Sequence, residues 1–235
     1  QQIITDLKKK IFNNEFPDMK LPDERSLAEK YDVSRSSIKR ALSRMASDGI
    51  IFKKRGSGTF INPLYLKNES VFNYGSGKNL GISDNFQLNG EKPSVKVLSF
   101  DVVRPTAELQ RDLFLESEDF VYQIKRLRFF DDQPFMIETG FIPIKLLPKL
   151  SSSILEKSIF DYVHRELKQS VSKSFMSVFA EPSTQQDQEL LKLDPTQPVG
   201  VMEGIFFLDN GTPFEFSSMR LHYEYMKFNS FVSIQ

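Results

Sequence analysis

The stretch LPDERSLAEKYDVSRSSIKRALSRMASDGIIFKKRGSGTFI, residues 21–61, decides the fold of the amino-terminal part of the chain. Residues 23–30 read as a short helix with acids in its first turn, where free backbone amides favour negative charge. Tyr31, Asp32 and Val33 break that helix. Ser34 is a good N-cap for the next one, and Ser36 and Ser37 can also serve free amides of its first turn. The chain then reads helical to Asp48, and Gly49 suits the left-handed residue that ends a helix. Ile38, Ala41, Leu42 and Met45 form one apolar stripe on this second helix, with Arg35, Ser36, Lys39, Arg40 and Ser43 away from it. Two helices joined by about three residues, the second with cations and hydroxyls on its free face, make a helix-turn-helix. Ile50-Ile51-Phe52 and Thr59-Phe60-Ile61 read as strands around a cationic tip running from Lys53 to Gly58. This hairpin is a wing whose glycines let backbone amides approach a phosphate closely.

Ahead of this motif, Ile3, Ile4, Leu7 and Ile11 recur at helical spacing, and Phe16-Pro17 and Leu21-Pro22 then interrupt the pattern. Over all 235 residues, 31 basic and 31 acidic side chains cancel, which taken alone argues against a nucleic-acid binder. Counted by segment, residues 1–62 hold 13 basic and 8 acidic side chains and the remainder 18 and 23. Within residues 33–55, Arg35, Lys39, Arg40, Arg44, Lys53, Lys54 and Arg55 face one acid, Asp48. Such a cluster is either a solvated basic face or a phosphate-binding footprint, and the surrounding motif favours the footprint. The length suits two unequal domains. There is no cysteine, which removes disulfide and thiolate chemistry, and His164 and His222 lie too far apart in sequence to suggest an ordinary zinc site. No apolar run approaches the length of a transmembrane helix. A cytoplasmic protein without metal or other cofactor, and without a membrane partner, is the expectation.

The order LPxER, VSRxxxxxAL, glycine, GxGTF in residues 21–61 resembles the GntR family of bacterial transcription regulators. The resemblance implies that Arg25 anchors a phosphate. It places Ser34, Arg35, Ser36 and Lys39 at the major groove, and Arg55 and Gly56 at the minor groove or its rim. Arg35 is the expected guanine reader, because a guanidinium fork fits the O6/N7 edge. At Lys39 the family more often has arginine, and lysine holds a phosphate without that fork. Arg40 and Arg44 are either phosphate contacts or solvated.

Residues 63–78, with Pro63 and Gly75-Ser76-Gly77, read as a linker between a head at 1–62 and a larger domain at 79–235. The larger domain repeats itself. Pro105, Leu113 and Phe129 recur 77 positions later as Pro182, Leu190 and Phe206, and each copy reads as helix, strand, hairpin, strand. Asp209-Asn210-Gly211 is a strong hairpin signal. Duplication of that unit predicts an α+β layer with an antiparallel sheet. Residues 154–167 between the copies read as one helix.

This half resembles the UTRA ligand-sensing domain of the HutC branch of that family, similar in fold to chorismate lyase. The resemblance rests on KPSVKVLSF (92–100), KRLRFFDDQPFMIETGFIP (125–143), the helix from Ser158, and TPFEFSSMRLHYEYMKF (212–228). Arg126 and Arg128 alternate on one strand and so share a face. They are either surface cations opposite acids or, as the resemblance favours, the captors of a ligand anion. Glu138 and Glu215 are either salt-bridge partners of those arginines or, by resemblance, acceptors for ligand hydroxyls. The resemblance also assigns the ligand Ser158, Phe160 as a stacking surface, and the loop Gly81-Ile82-Ser83. In sum, the sequence reads as a homodimeric repressor of a sugar-utilisation operon. It would bind pseudo-palindromic double-stranded operator DNA and be released by a small anionic effector, a phosphorylated sugar. The alternative is a chorismate-lyase-like enzyme fused to a DNA-binding head, against which stands the lack of a nucleophile–base pair in the sequence.

Overall fold

The computed structural model describes residues 2–66 and 93–226, which divide into two compact units. In the first, helices α1 (Gln2–Phe12), α2 (Glu24–Tyr31) and α3 (Arg35–Ser47) precede the hairpin β1 (Ile51–Lys54) and β2 (Gly58–Ile61). The Asp23 side chain caps α2 by accepting from the amides of Arg25 and Ser26. Asp32 then takes the left-handed conformation (φ 50°), and Ser34 caps α3 by accepting from the Ser37 amide. This three-residue reversal lets Leu27, Ile38, Leu42 and Met45 meet Leu7 and Ile11 of α1 and Ile50, Ile51 and Ile61 of the hairpin in one core. Burial of these side chains from four elements, at about 1.5–3 kcal/mol each, outweighs the weak intrinsic stability of an eight-residue helix. Lys53, Lys54 and Gly58 belong to the strands, so the wing tip shrinks to Arg55-Gly56-Ser57, with Gly56 at φ 72°. Pro63–Leu66, the start of the expected linker, form a helical turn, α4, whose Tyr65 packs against Phe12.

The second unit is a single six-stranded sheet with helices. Its elements are β3 (Pro93–Val103), α5 (Ala107–Asp112), β4 (Val121–Phe130), β5 (Gln133–Pro143), α6 (Ser152–Leu155), α7 (Ile159–Leu167), β6 (Val171–Pro182), α8 (Gln185–Leu191), β7 (Pro198–Leu208) and β8 (Pro213–His222). A 3-10 turn, Tyr223–Tyr225, follows. The strand order is β3-β4-β5-β8-β7-β6, and every neighbouring pair is antiparallel. Each half is strand, helix and hairpin, and the halves join where β5 pairs with β8. The repeat therefore starts one strand earlier than the sequence suggested. The missing members, β3 and β6, are sheet edges, and β6 is exposed along most of its length, so no buried alternation marked it. The helix expected over residues 154–167 is broken at Glu156, which ends α6, and restarts when Ser158 accepts from the Asp161 amide.

The strand register sorts the two faces of the sheet. Leu127, Ile137, Val199 and Val201 lie on one face and pack with Leu191 and Leu193 at the end of α8. On that face Arg220 forks onto buried Asp187 of α8 (Nε–Oδ1 2.9 Å, Nη2–Oδ2 2.9 Å), so an ion pair pins the helix to the strand. Arg126, Arg128 and Glu138 point to the opposite face.

Candidate functional site

In the first unit, the free face of α3 carries Arg35, Ser36, Lys39 and Arg40, all exposed. Ser34 is engaged in the cap, and its Oγ lies 2.9 Å from the hydroxyls of both Ser36 and Ser37. Arg40 reaches the Ser37 hydroxyl at 3.4 Å. Arg25 is exposed on α2 and pairs with Glu29 at 3.0 Å. Arg55 and Gly56 stand exposed at the wing tip. Two of the seven clustered cations are engaged by acids, Arg44 by Asp48 and Lys53 by Glu24. Glu24 is an acid in the first turn of α2 and lies outside the 33–55 segment that holds these cations. Its carboxyl is held below the ordinary range first by the Lys53 hydrogen bond, then by the Lys53, Lys39 and Arg35 charges. Among the described residues no carboxylate lies within ion-pair distance of Arg35, Lys39, Arg40, Lys54 or Arg55. This surface can take phosphates and present a guanidinium fork to base edges.

In the second unit, Arg126, Arg128, Glu138 and Glu215 are all buried. Arg126 and Glu138 are register partners, and one carboxylate oxygen, Glu138 Oε2, receives both Arg126 Nη2 (2.8 Å) and Arg128 Nε (2.9 Å). Arg126 Nη1 also donates to the Leu155 carbonyl at 3.3 Å, which seats the end of α6 over the cluster. Burial pushes the Glu138 carboxyl up, but the two guanidinium charges and their hydrogen bonds outweigh it and hold it down at about 2. Burial and then the Glu138 charge push Glu215 up to about 8 against the pull of both arginines. Burial also draws Arg128 down, yet a guanidinium keeps its proton in proteins. Below about pH 8 the cluster therefore holds two cations, one anion and one neutral acid, a net buried charge of +1.

Glu138 is thus the acid that faces the arginines, the salt-bridge reading of that residue. Among the described residues Glu215 has no ion-pair partner. Its carboxyl folds over Gly140, where a Cβ would lie 2.3 Å from its Oε1. Phe206, the register partner of Glu215, meets the Phe160 ring edge-on at 5.3 Å, so α7 covers this face too. Ser158 is half-buried and serves as the cap of α7. Ser217 was missed. It sits two residues after Glu215, so the strand period of two could have placed it on this face. Its hydroxyl is buried and has no partner among the described residues. Gly81, Ile82 and Ser83 lie outside the described residues.

A Ser–His contact exists, Ser170 Oγ to His164 Nδ1 at 3.3 Å, but Asp209 accepts from the Ser170 amide rather than from the imidazole. The order of a catalytic triad is absent from this contact. Among the described residues no group of acids and histidines could hold a metal ion, and no helix is long and apolar enough to cross a membrane.

The comparisons with known proteins agree with this geometry. The family described as "Bacterial regulatory proteins, gntR family" matches residues 1–61, and the UTRA domain matches residues 88–227. The HTH-type transcriptional regulator GmuR of Bacillus subtilis is 32% identical over 219 residues, covering 93% of this chain and 91% of GmuR. The crystal structure of the possible transcriptional regulator YydK from Bacillus subtilis superimposes with a TM-score of 0.80 at 26% identity, covering 99% of this chain and 98% of that one. The effector binding domain of the B. subtilis trehalose repressor TreR matches 60% of this chain and 99% of its own, with a TM-score of 0.53 at 26% identity. All three are named as transcription regulators, YydK as a possible one. The chain belongs to the GntR family and is a DNA-binding transcription regulator that carries a UTRA effector domain.

Proposed function

We propose that the chain is a homodimeric repressor of a sugar-utilisation operon, released from its operator by a phosphorylated sugar. The observation that carries this reading is geometric: two buried guanidinium groups share one oxygen of one carboxylate, and among the described residues Arg126 Nε has no acceptor. A buried excess cation is costly until an anion arrives, so the cluster favours a phosphate-bearing ligand. Glu215, largely protonated at neutral pH, can donate to or accept from a sugar hydroxyl. The relative named as a trehalose repressor supports both the repressor role and a sugar-derived effector. Dimerisation is supported by the edge strand β6, which leaves Phe175, Val178 and Phe179 exposed, and a dimer supplies the second head that a pseudo-palindrome needs. In this reading residues 1–62 read DNA, 63–78 link, and 79–235 sense and dimerise. Arg25, Ser34, Arg35, Ser36, Lys39, Arg40, Arg55 and Gly56 contact DNA. Arg126, Arg128, Glu138, Ser158, Phe160 and Glu215 hold the effector, with the 81–83 loop.

The test is operator binding by the full chain with and without a panel of sugar phosphates. Release by one member, recovered unchanged, is the expected result. Undiminished DNA binding with every sugar phosphate, or consumption of the ligand, would overturn the reading.

A further inference from the structure

Among the described residues, two buried side-chain atoms have no hydrogen-bond partner: Arg126 Nε and Ser217 Oγ. A buried polar group left unpaired carries its full desolvation cost and is rare enough to call for an explanation. The register places both on one face of the sheet. Arg126 pairs with Glu138, and Ser217 pairs with Gly140, two residues further along β5. Two strands and two residues separate their backbones, roughly 12 Å.

Ser217 has glycine on either side across the sheet, Gly140 on β5 and Gly204 on β7. No neighbouring side chain at those positions can therefore meet the hydroxyl. The bare site over Gly140, the register partner of Ser217, is taken by the Glu215 carboxyl, and Ser217 Oγ makes no hydrogen bond to it. A carboxyl and a hydroxyl, both buried and neither joined to the other, form a seat for a group that both donates and accepts. A ligand hydroxyl is such a group: it would accept from Ser217 Oγ–H and donate to Glu215.

We propose that Ser217 contacts the effector directly, as a hydroxyl-reading position that selects among polyhydroxylated anions whose charged end lies at Arg126 and Arg128. This rests on the effector reading of the same cluster. The arginines would select for charge and Ser217 for the sugar. A site built to bond a hydroxyl discriminates strongly against ligands that lack one, because its own polar group is otherwise left unpaired.

The experiment compares wild type, Ser217→Ala and Ser217→Thr by calorimetry and thermal melts. The probes are inorganic phosphate, glucose 6-phosphate, mannose 6-phosphate and trehalose 6-phosphate. The expected result has two opposite signs. Without ligand, Ser217→Ala is at least as stable as wild type, since it removes an unpaired hydroxyl. With ligand, it binds at least one sugar phosphate about tenfold more weakly, binds inorganic phosphate as wild type does, and the threonine variant keeps the tighter binding. A destabilised ligand-free alanine variant would mean the hydroxyl serves the fold, and would overturn the proposal. So would sugar-phosphate affinities that do not change with alanine, although the effector reading would then stand. If wild type takes up none of the four probes, the anion-site reading itself falls and the proposal falls with it.

Discussion

At the scale of single residues, charge and burial decide what each cluster can do. Among the described residues no carboxylate lies within ion-pair distance of Arg35 on the free face of α3, so its fork is available to a base edge. Arg35→Ala should cost about 1–3 kcal/mol of operator binding and relax preference at one base pair; equal weakening on every sequence, read by competition titration, would make it a phosphate contact instead. Glu215 gives a pH prediction. Its folded pKa of about 8 lies above its ordinary 4.5, so the folded chain holds a proton that the unfolded chain has released within that window. The stabilising contribution is full below about pH 4.5 and is lost as pH rises through about 8. Glu215→Gln should flatten that decline, which for one proton is at most about 1.4 kcal/mol per pH unit, in denaturant melts taken across the pH series. Glu138 is the opposite case, since its removal strands two buried guanidinium groups. Glu138→Leu should destabilise the chain by about 3–5 kcal/mol, measured in the same melts.

At the scale of elements, two glycines separate strain from collision. Gly56 at the wing tip has φ 72° and open space where a Cβ would stand, so Gly56→Ala should cost only about 1 kcal/mol. At Gly204 a Cβ would lie 1.8 Å from the Phe175 carbonyl of β6, so alanine there must push an entire edge strand away. Hydrogen exchange should show β6 amides opening in Gly204→Ala while the hairpin of Gly56→Ala stays closed. The same elements show what could be read from sequence and why. The helix-turn-helix was legible because each local signal agreed: the Ser34 cap, the four-residue apolar stripe of α3, and Gly49 at its end. The edge strand β6 was not, because a strand with one neighbour and little burial has no alternation to display. The break at Glu156 was also hidden, since Leu155, Ile159 and Val163 recur every four residues across it. Arg126 and Arg128 announced themselves by position, but that Glu138 would engage both through one oxygen depended on the β4–β5 register, which no local signal carries.

At the scale of the whole chain, neutrality is the sum of a basic segment and an acidic one. If the head neutralises about 6–10 phosphates per dimer, log K should fall with log[salt] at a slope of roughly −5 to −9; a slope near zero would reject the footprint. The six-stranded sheet adds a different consequence. It is built from two like halves, yet the cluster is not doubled. By strand register, the counterparts of Arg126 and Arg128 on β7 are Gly204 and Phe206, which cannot hold an anion. In the proposed reading, cations on β4 and hydroxyl-seeking groups on β8 flank the β5–β8 seam from its two sides, like a lock cut from two dissimilar halves. Ligand stoichiometry follows: a calorimetric titration should saturate at one effector per chain, and Arg126→Ala should abolish the heat rather than halve it.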